Sequence, residues 1–453
     1  MLNISKLQDL WIDLENKRLV EGRKYPHFDP IVNLYDKKSL VFDKKNICHY
    51  SFFPLIKTIG ETRRRKWDED EQIRKIDVKK RPICYAAHLD ALIFSWYGFL
   101  FNAGYEKLLY NFAIDDVVLA YRRLNKSTPD FVKSVGDWIL SQENVAALCF
   151  DVTGFFDNLD HALLKKNLSR VIFWDQTKKE DYLPEDCYKI FCAVTKPKII
   201  TKKRVESCIP KSHAFVRNGR YAPDITFIDL VMLQHKRIKS KNSLGLLEDF
   251  PSVGIPQGLP LSGALANIAM LDFDIEMKRF ASEYKGIYRR YSDDILLVIS
   301  PEGSDIAKQK VNSLLANLGL KANKNKEEVH FFTKQNSGMF LCKNEKGQRS
   351  NFQYLGIEFD GNNYYIRSQS MSRFYRNLKK AISRFVYKKR KLGVRVFKYR
   401  EFFKRYLLLG ENQNFFSYTM RVHEILKPFS RIDRQINANK IIHLIKNEIK
   451  KRI

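Results

Sequence analysis

The sequence predicts an α+β fold, because two kinds of hydrophobic pattern alternate along the chain. Short runs of apolar, β-branched and aromatic residues, bounded by polar turns, indicate strands at residues 146–150, 287–291 and 295–299. Longer stretches with apolar residues at helical spacing indicate helices at residues 86–123 and 261–280. Strands that alternate with helices in this way place the central part of the chain among α/β or α+β folds.

The remaining segments divide the chain into regions. Residues 61–80 are densely charged and predict an exposed loop or helix, whereas residues 352–359 (FQYLGIEF) predict a further strand. We expect an N-terminal helical extension over residues 1–60, a central α+β region over residues 61–365 and a basic helical region over residues 366–453.

The C-terminal region carries much of the positive charge. Residues 361–453 contain 24 Lys and Arg against 5 Asp and Glu. Between Met371 and Phe385, apolar residues follow the i, i+3, i+4, i+7 spacing of one helix face. The pattern predicts an amphipathic helix that packs on this face and binds phosphate groups with its basic side chains. These basic side chains are Arg373, Arg376, Lys379, Lys380 and Arg384.

Charge is also the strongest global feature of the chain. Its 453 residues hold 80 Lys and Arg against 51 Asp and Glu, for a formal net charge of +29. A balance this basic favours a polyanionic partner, of which nucleic acid is the commonest. A basic protein of another kind, such as a ribosome-associated factor, would show the same balance.

Cysteine usage and hydropathy exclude several classes of protein. The 7 Cys form no CxxC pair, which argues against a zinc site. Their odd number, without a secretory signal at the N-terminus, indicates a reducing compartment. No stretch approaches the roughly 18 apolar residues of a membrane helix. We therefore expect a cytoplasmic protein with no membrane partner.

The sharpest local signal is a pair of adjacent carboxylates in the YSDD turn at residues 291–294. Turns favour Asp for conformational reasons, so such a pair alone carries little weight. However, Asp151 follows the apolar run at residues 146–150. A carboxylate at a strand end beside a hairpin-turn carboxylate is typical of a two-metal site. We therefore predict that Asp151, Asp293 and Asp294 bind two Mg²⁺ ions, with Mn²⁺ as a substitute.

A segment rich in Gly and Pro lies between these acidic elements. The GIPQG stretch at residues 254–258 predicts a tight loop with the amide of Gln257 at its apex. Ser262 is a candidate N-cap for the helix that follows. Considered alone, this segment indicates no more than a turn before a helix.

In this order, the segments resemble motifs of the reverse transcriptase family, especially its bacterial branch of group II intron, retron and phage-defence enzymes. The resemblance covers roughly residues 79–360 and includes KKRPI at residues 79–83, NKNK at residues 323–326 and YLG at residues 354–356. It implies a right-hand polymerase fold, with fingers and an antiparallel palm sheet before a helical thumb. It also implies an RNA-directed DNA polymerase that works by two-metal-ion nucleotidyl transfer.

The resemblance further implies roles for single residues. The metal site would include the backbone carbonyl of Val152 as well as the carboxylates. Phe156, five residues after Asp151, occupies the position of the steric gate against a ribose 2′-hydroxyl. The other expected nucleotide contacts are Arg81 at the triphosphate, Gln257 beside the new base pair and Lys326 at the leaving phosphates.

The sequence departs from this branch at several positions. Ser292 stands where introns and retrons usually have Ala, and Gly263 stands where Pro commonly follows Ser. Glu106 replaces the His of a retron signature, which argues against a retron. The chain therefore resembles most the standalone reverse transcriptases of bacterial anti-phage systems.

These motifs lead us to expect an antiviral enzyme that uses deoxynucleoside triphosphates (dNTPs), copies an RNA template and makes a DNA product. The template could be a dedicated non-coding RNA, and a homo-oligomer or an accessory defence protein stays open as a further partner. Two other functions also stay open. One is a template-independent or protein-primed DNA polymerase of an abortive-infection system, and the other is a non-catalytic RNA-binding protein.

Overall fold

The computed structural model describes residues 3–21, 25–27, 29, 31–68, 72–174, 182–208, 247–392, 404–407 and 414–451. In the N-terminal part, short helices pack against a long apolar helix. These helices are α1 (Ile4–Glu21), α2 (Lys38–Phe42), α3 (Lys44–His49) and the long α4 (His88–Asn111). The rings of Trp11 and Trp96, with centroids 5.6 Å apart, join α1 to α4.

A long antiparallel hairpin, β1 (Leu55–Asp68) and β2 (Ile73–Tyr85), occupies the segment for which the sequence predicts a loop or helix. That prediction is wrong in type, although the described side chains from Val78 to Ile83 are exposed, as expected. Charged residues on both faces hide the period of two that would reveal a strand. The hairpin continues into a sheet of order β2-β1-β4-β5, where β4 is Lys198–Thr201 and β5 is Glu248–Asp249.

An antiparallel sheet of strand order β6-β7-β3-β8-β9 forms the centre of the fold. Its strands are β3 (Asn144–Asp151), β6 (Ile287–Tyr291), β7 (Asp294–Ile299), β8 (Glu328–Lys334) and β9 (Phe340–Asn344). The strands predicted from the apolar runs are confirmed here. Residues 145–150 of β3 and residues 295–299 of β7 are apolar, because both faces of these strands are covered.

Helices cover one face of this central sheet and form the first core. Alternate residues of β3, namely Ala146, Leu148 and Phe150, point into it. The helices that contribute are α4, α6 (His161–Ile172), α7 (Glu185–Thr195), α9 (Ser262–Ala269), α10 (Leu271–Glu283) and α11 (Ser304–Asn317). The helix predicted over residues 261–280 is thus two helices that meet at Met270. A short helix, α8 (Lys202–Cys208), follows β4.

The opposite face of the central sheet carries the second core, into which Val145 and Ala147 of β3 point. The elements that build it are α5 (Thr128–Leu140), β10 (Phe352–Tyr354), β11 (Ile357–Phe359), β12 (Tyr364–Ile366), α12 (Ser368–Leu392), α13 (Phe415–Ile425), α14 (Ile432–Gln435) and α15 (Ala438–Lys450). The central sheet and the β10–β12 sheet are antiparallel, and together with the separate groups of helices they confirm the predicted α+β class. None of the described helices combines the length and the apolar character that a membrane crossing needs.

Two other predicted elements differ from the structure. The helix predicted over residues 86–123 ends at Asn111, and Val118 instead pairs with Arg290 as an isolated bridge. The strand predicted over residues 352–359 is split into β10 and β11 by a turn at Leu355, where φ is +46°. The apolar run passes through this two-residue turn, so the sequence favours one strand, although Gly356, with a φ of +86°, suits the turn.

Candidate active site

Two of the predicted carboxylates lie directly opposite each other in the central sheet. Strands β3 and β7 pair antiparallel in a register that sets Asp151 across from Asp294. The preceding and following residues, Phe150 and Ile295, point into the first core, so both carboxylates lie on the other face. Cross-strand neighbours of this kind have Cβ atoms about 5 Å apart. Strand pairing alone therefore brings the two carboxylates together.

The turn at residues 291–294 carries the third carboxylate. Ser292 has a φ of +61°, which is the left-handed conformation of a tight hairpin turn. The carbonyl oxygen of Asp293 accepts a hydrogen bond from the amide of Val152 at 3.1 Å. This bond ties the acidic turn to the end of β3. It also brings Val152 into the site, the residue whose carbonyl the family resemblance assigns to the metal.

Lys326 supplies a positive charge at the same place. Its Nζ donates a hydrogen bond to Oδ1 of Asp151 at 2.6 Å. The backbone prepares this contact, because the amide of Asn323 donates to the Asp151 carbonyl at 2.8 Å. The amide of Lys326 in turn donates to the Asn323 carbonyl at 2.9 Å. The NKNK segment and the end of β3 are thus joined beside the carboxylates.

The carboxylates influence one another electrostatically. Asp294 is open to solvent on one side, yet desolvation by the surrounding protein raises its pKa to about 6. Repulsion from Asp293 and Asp151 adds to this shift in pKa, whereas Lys326 and Arg367 oppose it. Because burial and neighbouring carboxylates disfavour the ionised form of Asp294, a bound cation would stabilise that form.

This donor set fits Mg²⁺, which needs only a few protein carboxylates when water and substrate phosphates complete its shell. In the part of the chain that the structure describes, no group of three or more His, Cys, Asp or Glu side chains has the arrangement of a metal-binding cluster. The geometry therefore consists of a cross-strand pair with a neighbouring turn carboxylate, rather than a complete protein cage.

The turn after Asp151 separates two adjacent phenylalanines. Phe155 is 4% exposed and belongs to the first core, whereas Phe156 is half-buried at the start of a 3-10 turn. The Phe156 ring meets the ring of Tyr121 edge-on, with 6.3 Å between centroids. The Tyr121 hydroxyl lies 3.1 Å from Oγ of Ser292. The predicted sugar gate is therefore linked through Tyr121 to the acidic turn.

The GIPQG loop connects this phenylalanine turn to the β1–β2 hairpin. The amide of Ile255 donates to the Phe156 carbonyl at 2.8 Å, and the carbonyl of Gln257 accepts from the Cys84 amide at 2.8 Å. Gly258 has a φ of +104°, and a Cβ there would lie 2.5 Å from the Cys84 carbonyl oxygen. Only glycine allows this approach.

Arg81 is exposed in β2, opposite Gly60 of β1. Residues two apart in a strand share a face, so Arg81 lies on the same face as Ile83. The Cγ2 atom of Ile83 would lie 2.8 Å from a Cβ at Gly258. The face that carries Arg81 is therefore the face that meets the GIPQG loop.

Ser262 does not cap the following helix, contrary to the prediction. Leu261 is the N-cap, and Ser262 is the first residue of α9. The Ser262 hydroxyl instead donates a hydrogen bond to the carbonyl of Pro256 at 2.6 Å. It therefore closes the GIPQG loop rather than the helix.

An ion pair below the acidic turn is missing from the sequence prediction. Arg290 and Asp274 are both 0% exposed and form two hydrogen bonds, at 2.8 and 2.6 Å. Nη1 of Arg290 also donates to the Ser292 carbonyl at 3.2 Å and to Oδ1 of Asn267 at 3.1 Å. Through Asn267 of α9 and Asp274 of α10, these two helices fix the position of Arg290 and thereby of the acidic turn. The available signal is weak, because Arg290 follows another arginine, Arg289, in the strand IYRRY.

Helix α12 presents the predicted basic face to solvent. Its apolar face, with Met371, Phe374, Leu378 and Ile382, is buried in the second core. The basic residues predicted to bind nucleic acid are all exposed; they are Arg373, Arg376, Lys379, Lys380 and Arg384. The amphipathic helix is therefore as predicted, and its basic face is available to a ligand.

Residues 170–359 match the model of the family described as reverse transcriptase (RNA-dependent DNA polymerase). The match contains Asp293 and Asp294 and begins after Asp151. It indicates an RNA-directed DNA polymerase domain. Together with the antiparallel central sheet, it confirms the right-hand polymerase fold that the sequence predicts, and over residues 170–359 it agrees with the predicted enzyme class. No curated protein matches the chain significantly.

Solved telomerase structures are similar to the chain. Apo telomerase from Candida tropicalis has 14% identity over 99% of this chain and 67% of that chain, with a TM-score of 0.39. Telomerase from Candida albicans in complex with a TWJ fragment of telomeric RNA has 13% identity over 83% and 60%, with a TM-score of 0.40. A Candida tropicalis form truncated from the C-terminal domain has 12% identity over 68% and 55%, with a TM-score of 0.37. The chain thus spans between 55% and 67% of these telomerase chains.

Proposed function

We propose that this chain is an RNA-directed DNA polymerase whose catalytic carboxylates are Asp151, Asp293 and Asp294. The observation that carries the proposal is the register of β3 and β7, which sets Asp151 opposite Asp294 beside the acidic turn. The ammonium of Lys326 already lies on Asp151, as a cation at such a site would. The reverse transcriptase family match, which includes the YSDD turn, supports the same activity.

In this proposal the carboxylates, with the Val152 carbonyl, hold two Mg²⁺ ions, which supply charge neutralisation and a lowered pKa for the primer 3′-hydroxyl. The protein itself contributes position, since in-line attack on the α-phosphorus depends mainly on alignment. Phe156 screens the sugar, and Lys326, whose ammonium lies on Asp151, neutralises or protonates the leaving pyrophosphate. Arg81 grips the triphosphate, and Gln257 supports the new base pair.

The template in this proposal is RNA, and the basic face of α12 binds the backbone of the template–product duplex. Exposed guanidinium and ammonium groups along one helix are suited to a row of phosphates. The support for RNA rather than DNA is the family match. The support for the thumb-like role of α12 is that it directly follows β12, next to Arg367, whose charge acts on Asp294.

We further propose that the enzyme acts in bacterial antiviral defence, in the cytoplasm, on a dedicated non-coding RNA. The order of the motifs and their resemblance to standalone anti-phage reverse transcriptases support this role. Sequencing the nucleic acid that copurifies with the protein tests the proposal. One strongly enriched RNA together with its complementary DNA is the expected result, and a broad sample of cellular RNA would contradict a dedicated template.

The activity itself is tested by incorporation of labelled dNTP on a primed RNA template with Mg²⁺. The wild-type protein should extend the primer, and Asp151→Asn, Asp293→Asn or Asp294→Asn should abolish extension while the fold persists, because each removes charge from the metal site. Asp305→Asn is a matched control, since Asp305 is 89% exposed in α11. Any of the three site variants with more than about a tenth of wild-type activity would refute the assignment.

The same assay separates the rival functions. Complementarity between product and template identifies templated synthesis, whereas products of unrelated or limited sequence identify a template-independent enzyme. Label that stays attached to protein after nuclease digestion identifies a protein primer. Wild-type protein that binds RNA but incorporates no nucleotide would support the non-catalytic RNA-binding function.

A further inference from the structure

Tyr121 occupies a position in the cleft that no motif accounts for. Tyr121 is 48% exposed, yet it meets three segments: the turn after Asp151, the acidic turn and helix α9. Its ring lies edge-on to Phe156, and its hydroxyl lies 3.1 Å from Oγ of Ser292. The same ring packs so closely on α9 that a Cβ at Gly263 would lie 2.6 Å from it.

Two hydrogen bonds to the backbone hold Tyr121 in this position. Asn267 Nδ2 donates to the Ala120 carbonyl at 2.8 Å, and Asn102 Nδ2 donates to the Tyr121 carbonyl at 3.4 Å. Tyr121 itself has a φ of +60°, which a bulky residue rarely adopts. Strain of this kind persists only where the surroundings enforce it, and it is common at ligand sites.

Ser292 in the acidic turn and Gly263 in helix α9 both depart from the family pattern, and both lie against Tyr121. Any side chain at 263 would collide with the ring, so Gly263 is required for its present position. An Ala in place of Ser292 would remove the partner of the Tyr121 hydroxyl. The departures are therefore explained together, as adaptations to one aromatic residue.

We propose that Tyr121 is a specificity-determining residue of the nucleotide site. Its ring supports the ring of Phe156, so that the sugar gate keeps its place when a nucleotide enters. Its hydroxyl couples this gate to the acidic turn through Ser292. The inference rests on the proposed polymerase function and adds to it a second aromatic residue that selects deoxyribose over ribose.

The test compares Tyr121→Ala, Tyr121→Phe and Gly263→Ala with the wild-type protein. We expect Tyr121→Ala to lower the preference for dNTP over rNTP on the order of tenfold, the range for a lost hydrophobic contact in a specificity pocket. Gly263→Ala should reproduce this loss, because its Cβ displaces the ring while alanine favours the helix. Tyr121→Phe keeps the ring and should retain most of the preference. Tyr110→Ala, at a tyrosine 76% exposed at the end of α4, is the control.

Two readouts keep this inference separate from the proposed function. Primer extension gives the ratio of incorporation efficiencies, and equilibrium binding of dATP and ATP in Ca²⁺ buffer gives the ratio of affinities without chemistry. If the wild-type protein discriminates and Tyr121→Ala or Gly263→Ala keeps the wild-type ratio, the inference is overturned while the polymerase function stands. If the wild-type protein neither binds nor incorporates nucleotide, the proposed function fails and the inference fails with it.

Discussion

Adjacent residues of one type have different surroundings in the turn after Asp151. Phe155 lies within the first core, whereas Phe156 is half-buried and, besides Phe155, meets the edge of the Tyr121 ring. Side-chain chemistry cannot distinguish them, because both are phenylalanine. Their environments therefore predict separate effects on stability and on nucleotide selection.

The first prediction compares alanine variants of the two rings. Phe155→Ala should lower the free energy of unfolding by about 3–5 kcal/mol, as expected for a buried phenylalanine. Phe156→Ala should cost less stability but should reduce the preference for dNTP over rNTP on the order of tenfold or more. Denaturant unfolding and dNTP–rNTP competition measure the two effects. Unchanged discrimination in Phe156→Ala would mean that the gate lies elsewhere.

The second prediction concerns the buried ion pair of Arg290 and Asp274. Arg290→Met should lower the free energy of unfolding by about 3–5 kcal/mol, because it leaves Asp274 charged and buried without its partner. Adding Asp274→Leu should restore much of that loss, since no charge then remains. Arg279→Met, which removes a surface partner of Glu276 on the same helix α10, is the control and should change stability by less than about 0.5 kcal/mol. A double variant as unstable as the single one would contradict this account.

At the scale of elements, the acidic site is the part of the fold that the sequence predicts best. Strands β3 and β7 are apolar runs that end or begin at an aspartate, and β6, which carries Arg289 and Arg290, leads into the acidic turn. The β1–β2 hairpin is not predictable in this way, because charged residues occupy both odd and even positions of its sequence. The turn at residues 355–356 is partly hidden, because Gly356 suits a left-handed φ but Leu355, with a φ of +46°, does not.

Contacts distant in sequence are the part of the site that motifs do not reveal. The Tyr121–Ser292 bond joins residues 171 positions apart, and Arg290 reaches Asn267 and Asp274 on other elements. Nothing in the local pattern around any of these residues predicts its partner. The carboxylates are recognisable because they stand at the ends of apolar runs that are local in the sequence. Tyr121 and Arg290 are not recognisable, because their contacts form only in the completed fold.

The third prediction is a pH dependence that originates in the first turn of α4. Asp90 is fully buried and accepts hydrogen bonds from the Tyr50 hydroxyl at 2.7 Å and the Phe53 amide at 2.9 Å. Desolvation nevertheless raises its pKa from 3.8 to about 7, and the nearby Asp29 adds to the rise in pKa. Between these two values the folded protein binds more protons than the unfolded chain. Its stability should therefore fall as the pH rises from about 4 to about 7.

Asp90→Asn removes this titration, so its stability should lose that part of the pH dependence. The difference in free energy of unfolding between wild type and Asp90→Asn should change by about 2–4 kcal/mol between pH 4 and pH 7, the scale set by this shift in the pKa of Asp90. Asp305→Asn, at an exposed carboxylate of α11, should keep the wild-type curve. Unfolding in denaturant at several pH values measures the effect, and parallel curves for wild type and Asp90→Asn would contradict it.

At the scale of the whole molecule, positive charge and the acidic site are arranged on connected elements. Residues 361–453 hold 24 Lys and Arg against 5 Asp and Glu, although the complete chain has 80 against 51. The excess is therefore concentrated in the region that begins just before α12. Because the apolar face of α12 packs on the same side of the central sheet as Asp151 and Asp294, its basic face is attached to the same scaffold as these carboxylates.

The last prediction follows from this arrangement and concerns the salt dependence of RNA binding. Replacing Arg376, Lys379 and Lys380 by Gln should lower RNA affinity at low salt. It should also reduce the slope of log K against log salt by about 2–3, since each neutralised phosphate contributes about 0.7–0.9. The control replaces Lys37, Lys44 and Lys45, which are exposed near α2 and α3, and removes the same charge. If general charge caused the attraction, both variants would change the slope equally. A slope that only the α12 variant reduces identifies direct phosphate contacts, and a slope that neither reduces would exclude them.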